Sequence, residues 1–221
     1  MNINEAIQGR ISVRAYLDKA VTKETINSIL DTARWSPSGT NTQPWKVVVV
    51  QGDTKEAITK GFLDAQAQGV KPNPDYQYYP EKWVEPYKAR RFQCGMDLYK
   101  SLEIGREDKD RRTEAGLDNY RFFGAPVSIF FFIDKIMGKG SWFDMGMFYQ
   151  SVMLAAREHG LGSCPQASTS DYPDMVREIL GVSDDYDLMC GLSLGYPDDS
   201  KPVNQYRTRR DEVDEFTTWA D

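Results

Sequence analysis

The sequence predicts a single α+β domain in which a central mixed or antiparallel sheet is flanked by helices, and three observations carry that prediction. Short β-branched or aromatic runs are interspersed with amphipathic helical stretches, without the strict strand–helix–strand rhythm of a parallel sheet. No Gly-rich dinucleotide fingerprint or P-loop is present, which disfavours the doubly wound nucleotide folds. No internal repeat or linker-like break divides the chain, so residues 1–221 are expected to form one domain.

The elements follow in order. Asn2 to Gly9 predicts a short helix with Ile3, Ala6 and Ile7 on one face, and Arg10 to Tyr16 an extended segment. Thr22 is placed to cap a helix that carries Ile26, Ile29, Leu30 and Ala33 at helical spacing. Val47 to Val50 is a continuous β-branched run, expected as a central strand covered on both faces. Asp53 is expected to cap a helix running to about Gln68. Gly69 to Pro86 holds four prolines, three tyrosines and a tryptophan; it is too aromatic for a disordered linker and predicts an ordered excursion, a candidate lid.

A helix over Tyr87 to Leu102 follows, then the charge-dense Glu103 to Arg112, expected as a solvated helix face or loop. Pro126 to Ile133 predicts a second buried strand. Ser141 to His159 predicts a long helix, apolar nearly all round, as for a helix buried centrally or in a dimer interface. Asp171 to Leu180 predicts another helix with Gly181 just past its end. Leu188 to Leu194 predicts a third strand, and a polar tail begins at Asp198.

Composition narrows the function. A net charge of −6 argues against a nucleic-acid binder. No apolar run approaches the roughly 20 residues of a membrane helix, and Met1 to Arg10 lacks a signal-peptide layout. A cytoplasmic protein is the expectation. Cys94, Cys164 and Cys190 are far apart, so neither a zinc site nor a disulfide framework is expected. The single histidine, His159, sits at a helix end and suits the macrodipole there. A buried, inert thiol is the expectation for Cys164.

Four segments could carry chemistry. In an extended segment Arg10, Ser12 and Arg14 share one face, with Ile11 and Val13 on the other. Two guanidinium forks and a hydroxyl suit a phosphate dianion; a solvated edge strand is the competing reading. Arg207, Arg209 and Arg210 reverse the sign of charge near the C-terminus, either completing the same cradle or balancing the acidic tail. The loop Ser36-Pro37-Ser38-Gly39-Thr40-Asn41-Thr42-Gln43-Pro44-Trp45 joins a helix to a strand with hydroxyls and amides between prolines. Such a loop suits recognition of a flat polar ligand, or serves as a plain connector. The fourth, Gly160 to Thr169, is expected as a small polar loop whose amides near Pro165 to Ala167 could face a ligand.

These pieces, in this order, resemble the FMN-dependent nitroreductase family over essentially the full chain. The likeness rests on Arg10-Ile-Ser-Val-Arg14, the Ser36 to Trp45 loop, Phe123-Gly-Ala-Pro-Val127, Gly140 to Phe148, Gly160-Leu-Gly, Gly195-Tyr-Pro-Asp198 and Val203 to Arg210. Its details look most like the bacterial nitroaromatic and nitrobenzoate reductase branch. The resemblance implies a nitroreductase-like sandwich, an intertwined homodimer and one tightly bound FMN in each interface cleft. It implies that Arg10, Ile11, Ser12, Arg14, Arg207 and Arg210 hold the phosphate and ribityl end. Pro37, Ser38, Gly39 and Asn41 would reach the flavin ring from the other subunit, and Pro165, Gln166 and Ala167 would lie along it. Family variants carry an acidic residue near this last position, where this chain has Gln166.

The implied activity is NADH- or NADPH-dependent reduction of nitroaromatic compounds by ping-pong hydride transfer through flavin N5, the cofactor supplying the redox chemistry and no side chain needed as general base. The alternatives are an enone or quinone reductase or a reductive dehalogenase on the same scaffold, with the 69–86 excursion setting the choice. A further alternative is a non-catalytic flavin-binding protein.

Overall fold

Alternation along one strand organises the molecule. In the computed structural model, which describes residues 1–220, strand β2 (Val127–Asp134) is buried along nearly its whole length. Successive side chains of a strand point to opposite faces. Ile129, Phe131 and Ile133 therefore enter one apolar core, and Phe130 and Phe132 enter another. The first core is closed by α2 (Lys23–Ala33) through Ile26, Ile29 and Ala33, and by α6 (Lys139–Glu158) through Phe148, Val152 and Ala156. The second is closed by Ile58 and Phe62 of α3 (Gly52–Ala67) and Val176 of α7 (Pro173–Leu180).

The sheet runs β1–β2–β4–β3, with β1 at Trp45–Val50, β3 at Gly162–Gln166 and β4 at Tyr186–Gly195, and every pairing is antiparallel. The only parallel link to it is a single bridge between Ser12 and Ser163, among the described residues. Phe131 faces Cys190 and Phe132 faces Leu188, so Met189 is the extra residue of a β-bulge. The Tyr76 hydroxyl donates to its carbonyl at 2.5 Å.

The N-terminal helix α1 (Ile3–Gly9) has an Asn2–Glu5 capping box, and Thr22 caps α2 through the Thr25 amide. The charged helix α5 (Lys109–Leu117) follows α4 (Tyr87–Ser101), and the last turn of helix is α8 (Val213–Phe216).

Several expectations need correction. β1 is an edge strand rather than a central one, and only Val50 is fully buried, because β2 covers one side alone. The polar stretch after Gly160 contains β3, the opposite edge. Its proline and small residues mask the strand pattern, and an edge tolerates proline because one side of the strand needs no ladder donor. α6 begins at Lys139 and buries one face; Phe143 remains 78 % exposed. The N-cap of α3 is Gln51, not Asp53. The charge-dense stretch takes one of its two expected forms, a solvated helix from Lys109 onward. The short helix α1 forms as expected, with Ile3 and Ile7 exposed.

The excursion is fastened at its base. Asp75 receives both Nη groups of the buried Arg177, at 2.6 and 3.1 Å, and the Leu188 amide at 2.8 Å. The Asn73 amide donates to the Asp171 carbonyl, and the Tyr120 hydroxyl donates to the Asp171 carboxylate at 2.6 Å. Burial, outweighing that hydrogen bond, pushes the Asp171 carboxyl above the usual carboxylate range. The unfolded chain then loses this proton at lower pH than the folded chain. The stability contributed by Asp171 therefore falls as pH rises from the ordinary carboxylate range through the raised value. Asp171→Asn is expected to flatten that fall, read as the urea midpoint measured across pH 4 to 7.

Candidate active site

The two ends of the chain meet on the free edge of β3. The Val13 amide donates to the Ser163 carbonyl at 3.0 Å, laying residues 10–16 along that edge. Gly162 makes the approach possible, since a Cβ there would stand 2.5 Å from Val13 Cγ2. Beyond β4 the chain returns through Asn204, 5 % exposed, which closes the junction with three bonds. Its Oδ1 accepts the Arg14 amide at 2.8 Å, and its Nδ2 donates to the carbonyls of Ala15 and Asp198 at 2.8 and 3.0 Å. The Arg207 guanidinium donates to the Gln8 carbonyl.

This junction shapes a cleft of about 770 Å³ walled by Arg10, Ser12, Arg14, Tyr206, Arg207 and Arg210, with Ile11 also lining it. Among the described residues, none of those four arginines has a carboxylate within ion-pair distance. Arg10 Nη1 is buried without any hydrogen-bond partner. Burial, then the neighbouring Arg210, lowers the Arg10 pKa; Cys164 opposes them, and Arg207 and Arg157 add smaller lowering effects. A guanidinium held among like charges in a chain of net charge −6 makes a site that an anion would stabilise.

Arg157 belongs to this arrangement. It donates to the Glu5 and Ala6 carbonyls of α1, with its guanidinium lying over Gly9. Cys164 lies behind the cleft, its thiol pushed up to about 11 by burial, which makes it a poor nucleophile.

The remaining predicted residues do not line this cleft. Pro37, Ser38, Gly39 and Asn41 belong to a loop gripped by one stripe of α6. At its stem, Ser36 Oγ donates to Ser151 Oγ at 2.8 Å; at its tip, the Gly39 amide donates to Asp144 Oδ2 at 3.2 Å; at its exit, Trp45 stacks on Phe148 with centroids 4.6 Å apart. Asp144, Phe148 and Ser151 are spaced i, i+4, i+7 and share a helix face. Between stem and exit the backbone is strained, with Thr40 at φ 50°, Asn41 at φ 58° and Gln43 at φ 49°. Each left-handed non-glycine residue costs on the order of 1–3 kcal/mol, a cost concentrated at ligand clamps.

Pro165 is exposed at the end of β3, whereas the Gln166 side chain, 2 % exposed, turns inward. Its Nε2 donates to the Asn119 carbonyl at 2.6 Å and its Oε1 accepts from Ser193 Oγ at 2.5 Å. Ala167 is half-buried and starts the short 3₁₀ turn Ser168–Ser170. The sequence reading missed Asn204, Tyr206, Arg157 and Asp144. The Pro-Val-Asn run before the C-terminal arginines was the available signal for the first; the others are single polar residues on helices or in the tail. Among the described residues, no cluster of metal-ligating side chains exists and no helix is long and apolar enough to cross a membrane.

Comparison with known proteins gives a consistent picture. The profile described as the Nitroreductase family matches residues 7–196. A 4-nitrobenzoate reductase of Pseudomonas putida is 35% identical over 217 residues, covering 98% of this chain and 94% of that protein. The FMN and NADPH-dependent nitroreductase NfnB from Sphigopyxis sp. strain HMH superposes with a TM-score of 0.97 at 40% identity, covering 100% of both chains. The FMN-dependent nitroreductase NfnB from Mycobacterium smegmatis, solved in complex with NADPH, gives 0.93 at 34% identity, covering 99% of this chain and 97% of the other. The helices packed around a four-stranded antiparallel sheet are thus the nitroreductase fold, and the chain belongs to the Nitroreductase family.

Proposed function

We propose that this chain is an FMN-dependent NAD(P)H oxidoreductase that reduces nitroaromatic compounds as a cytoplasmic homodimer. The observation that carries the reading is the arginine-walled cleft with its unpartnered Arg10 Nη1. A phosphate dianion supplies several acceptor oxygens at once, matched to guanidinium forks. Arg10, Arg14, Arg207 and Arg210, with the Ser12 hydroxyl, fit that end of a mononucleotide, and Ile11 flanks it. Bound FMN would accept a hydride from NADH or NADPH and return two electrons to the acceptor, in ping-pong fashion.

The chain's own part is to bind and orient. Pro165, Gln166 and Ala167 would run along the ring with a main-chain N–H near N5. The Gln166 side chain is spent on Asn119 and Ser193, so the backbone rather than that amide is the donor in this reading. Pro37, Ser38, Gly39 and Asn41 of the partner subunit would complete the ring site. The exposed Phe143 and Met147 of α6 and the exposed Val213, Phe216 and Trp219 of the C-terminal arm support a dimer, being apolar surface a lone chain would leave in water. Relatives bearing nitrobenzoate and chloronitrobenzene reductase names support a nitroaromatic acceptor. Tyr78, Tyr79 and Trp83 of the excursion, packed edge-on and tilted against one another, offer aromatic surface for one.

Two outcomes follow. Arg10→Ala and Arg14→Ala are each expected to weaken FMN binding by roughly tenfold or more, the size of one lost charge-assisted hydrogen bond, as measured by flavin fluorescence on dilution. Variants that purify fully yellow with unchanged affinity would overturn the phosphate assignment. Anaerobic NADPH or NADH is expected to bleach the visible flavin band of the purified protein, and 4-nitrobenzoate to restore it. Persistent colour would leave a flavin carrier instead, and faster recovery with a quinone, an enone or a haloaromatic would reassign the acceptor.

A further inference from the structure

The strain in the Ser38–Gln43 loop needs something outside the loop to hold it. Within that span every hydrogen bond is local but one. Gln43 N–H donates to Ser38 Oγ, Gln43 Nε2 to the Asn41 carbonyl, Thr42 N–H to the Gly39 carbonyl and Asn41 N–H to the Ser38 carbonyl. Local bonds of this kind fix the shape of a turn, but they move with it and cannot fix its position. The exception is Gly39 N–H to Asp144 Oδ2, across 105 residues of sequence.

Asp144 is an unusual residue for its place. It is 8 % exposed, on the inward face of an otherwise apolar stretch of α6, and it makes no ion pair among the described residues. A carboxylate taken largely out of water without a cationic partner lowers stability unless its hydrogen bonds offset the loss. Stability alone would favour an apolar residue beside Met145 and Phe148. The carboxylate is accounted for by what it holds, a backbone amide at the entry to a run with three left-handed residues, Thr40, Asn41 and Gln43.

We infer that Asp144 is a positioning residue: its carboxylate seats the Gly39 amide and thereby presets the strained loop whose Ser38 and Asn41 present polar groups to the flavin. The inference rests on the placement of that loop at the ring in the proposed function. Ser36–Ser151 and Trp45–Phe148 hold the two ends, and those contacts remain when Asp144 is changed. Loss of Asp144 therefore frees the tip alone.

The test compares Asp144→Ala with Asp144→Asn in the flavin-loaded protein, by amide hydrogen exchange and by circular dichroism in the flavin band. Asn keeps a carbonyl acceptor for Gly39 N–H and loses the charge. In Asp144→Ala, exchange is expected to rise by about tenfold or more in peptides covering 36–45, as for loss of one hydrogen bond to a charged group. It should not rise in peptides from β2. The flavin dichroism should shift and FMN should dissociate faster, and Asp144→Asn should restore most of each. Unchanged exchange over 36–45 in Asp144→Ala would overturn the inference, and so would a rise spread evenly over the whole chain. A local rise with dichroism and FMN release unaltered would show that the loop does not touch the flavin. That result overturns the placement of the loop as well, while the Arg10 and Arg14 variants still report on the phosphate end.

Discussion

Like charges held together without a counter-ion are the constraint on which this molecule turns. Arg10, Arg14, Arg207 and Arg210 line one cleft, and no carboxylate of the described chain reaches them. Left alone they repel, and burial first, then that repulsion, lowers the Arg10 pKa. The fold accepts that repulsion because neutral contacts elsewhere hold the two termini: the bond of Val13 to Ser163 and the three bonds of Asn204. The bonds made by Val13 and Asn204 use no guanidinium group, and Arg10 Nη1 is left for a ligand.

The sheet provides the frame for this division. Its two central strands are largely buried and carry the cores, whereas β3, at the edge, carries the N-terminal segment that lines the cleft. An edge strand has unpaired backbone groups along one side. Here residues 12 and 13 pair with part of that side, so the edge that could otherwise recruit another strand becomes the wall of the site. A dimer built on α6 and the C-terminal arm would bring the second loop to the same place, which is why a single chain holds only the phosphate half of the proposed site.

Much of this was legible in the residues. The alternation of Arg10, Ser12 and Arg14 with Val13 foretold one polar and one buried side, but Ile11 lines the cleft with the arginines instead of facing away. Arg207 and Arg210, not Arg209, lie beside them. Thr22, the β2 run and Gly181 marked their elements correctly. What failed did so for physical reasons. Val47 to Val50 carries the pattern of a covered strand because periodicity reports hydrophobicity, not the number of neighbours. β3 was invisible because Gly162, Ser163 and Pro165 have little strand preference, and its pairing with β4 is decided by tertiary context. Asn204 and Asp144 act on amides 190 and 105 residues away, and no local spacing encodes such a partner.

The bulge at Met189 separates two parts of the chain that obey different rules. Its carbonyl binds Tyr76, and Asp75 binds Arg177 beside it, so the excursion is riveted to the sheet at its root. From Gln77 onward, among the described residues, the only side-chain hydrogen bond before Glu85 is local, Gln77 to the Tyr79 carbonyl. Closing a longer loop adds entropy only as the logarithm of its length. The stretch beyond the rivet can therefore grow, shrink or exchange its rings with little strain passed to the electron-carrying half of the protein. Descendants of this chain could edit these surface positions while the residues that line the arginine cleft are inherited intact.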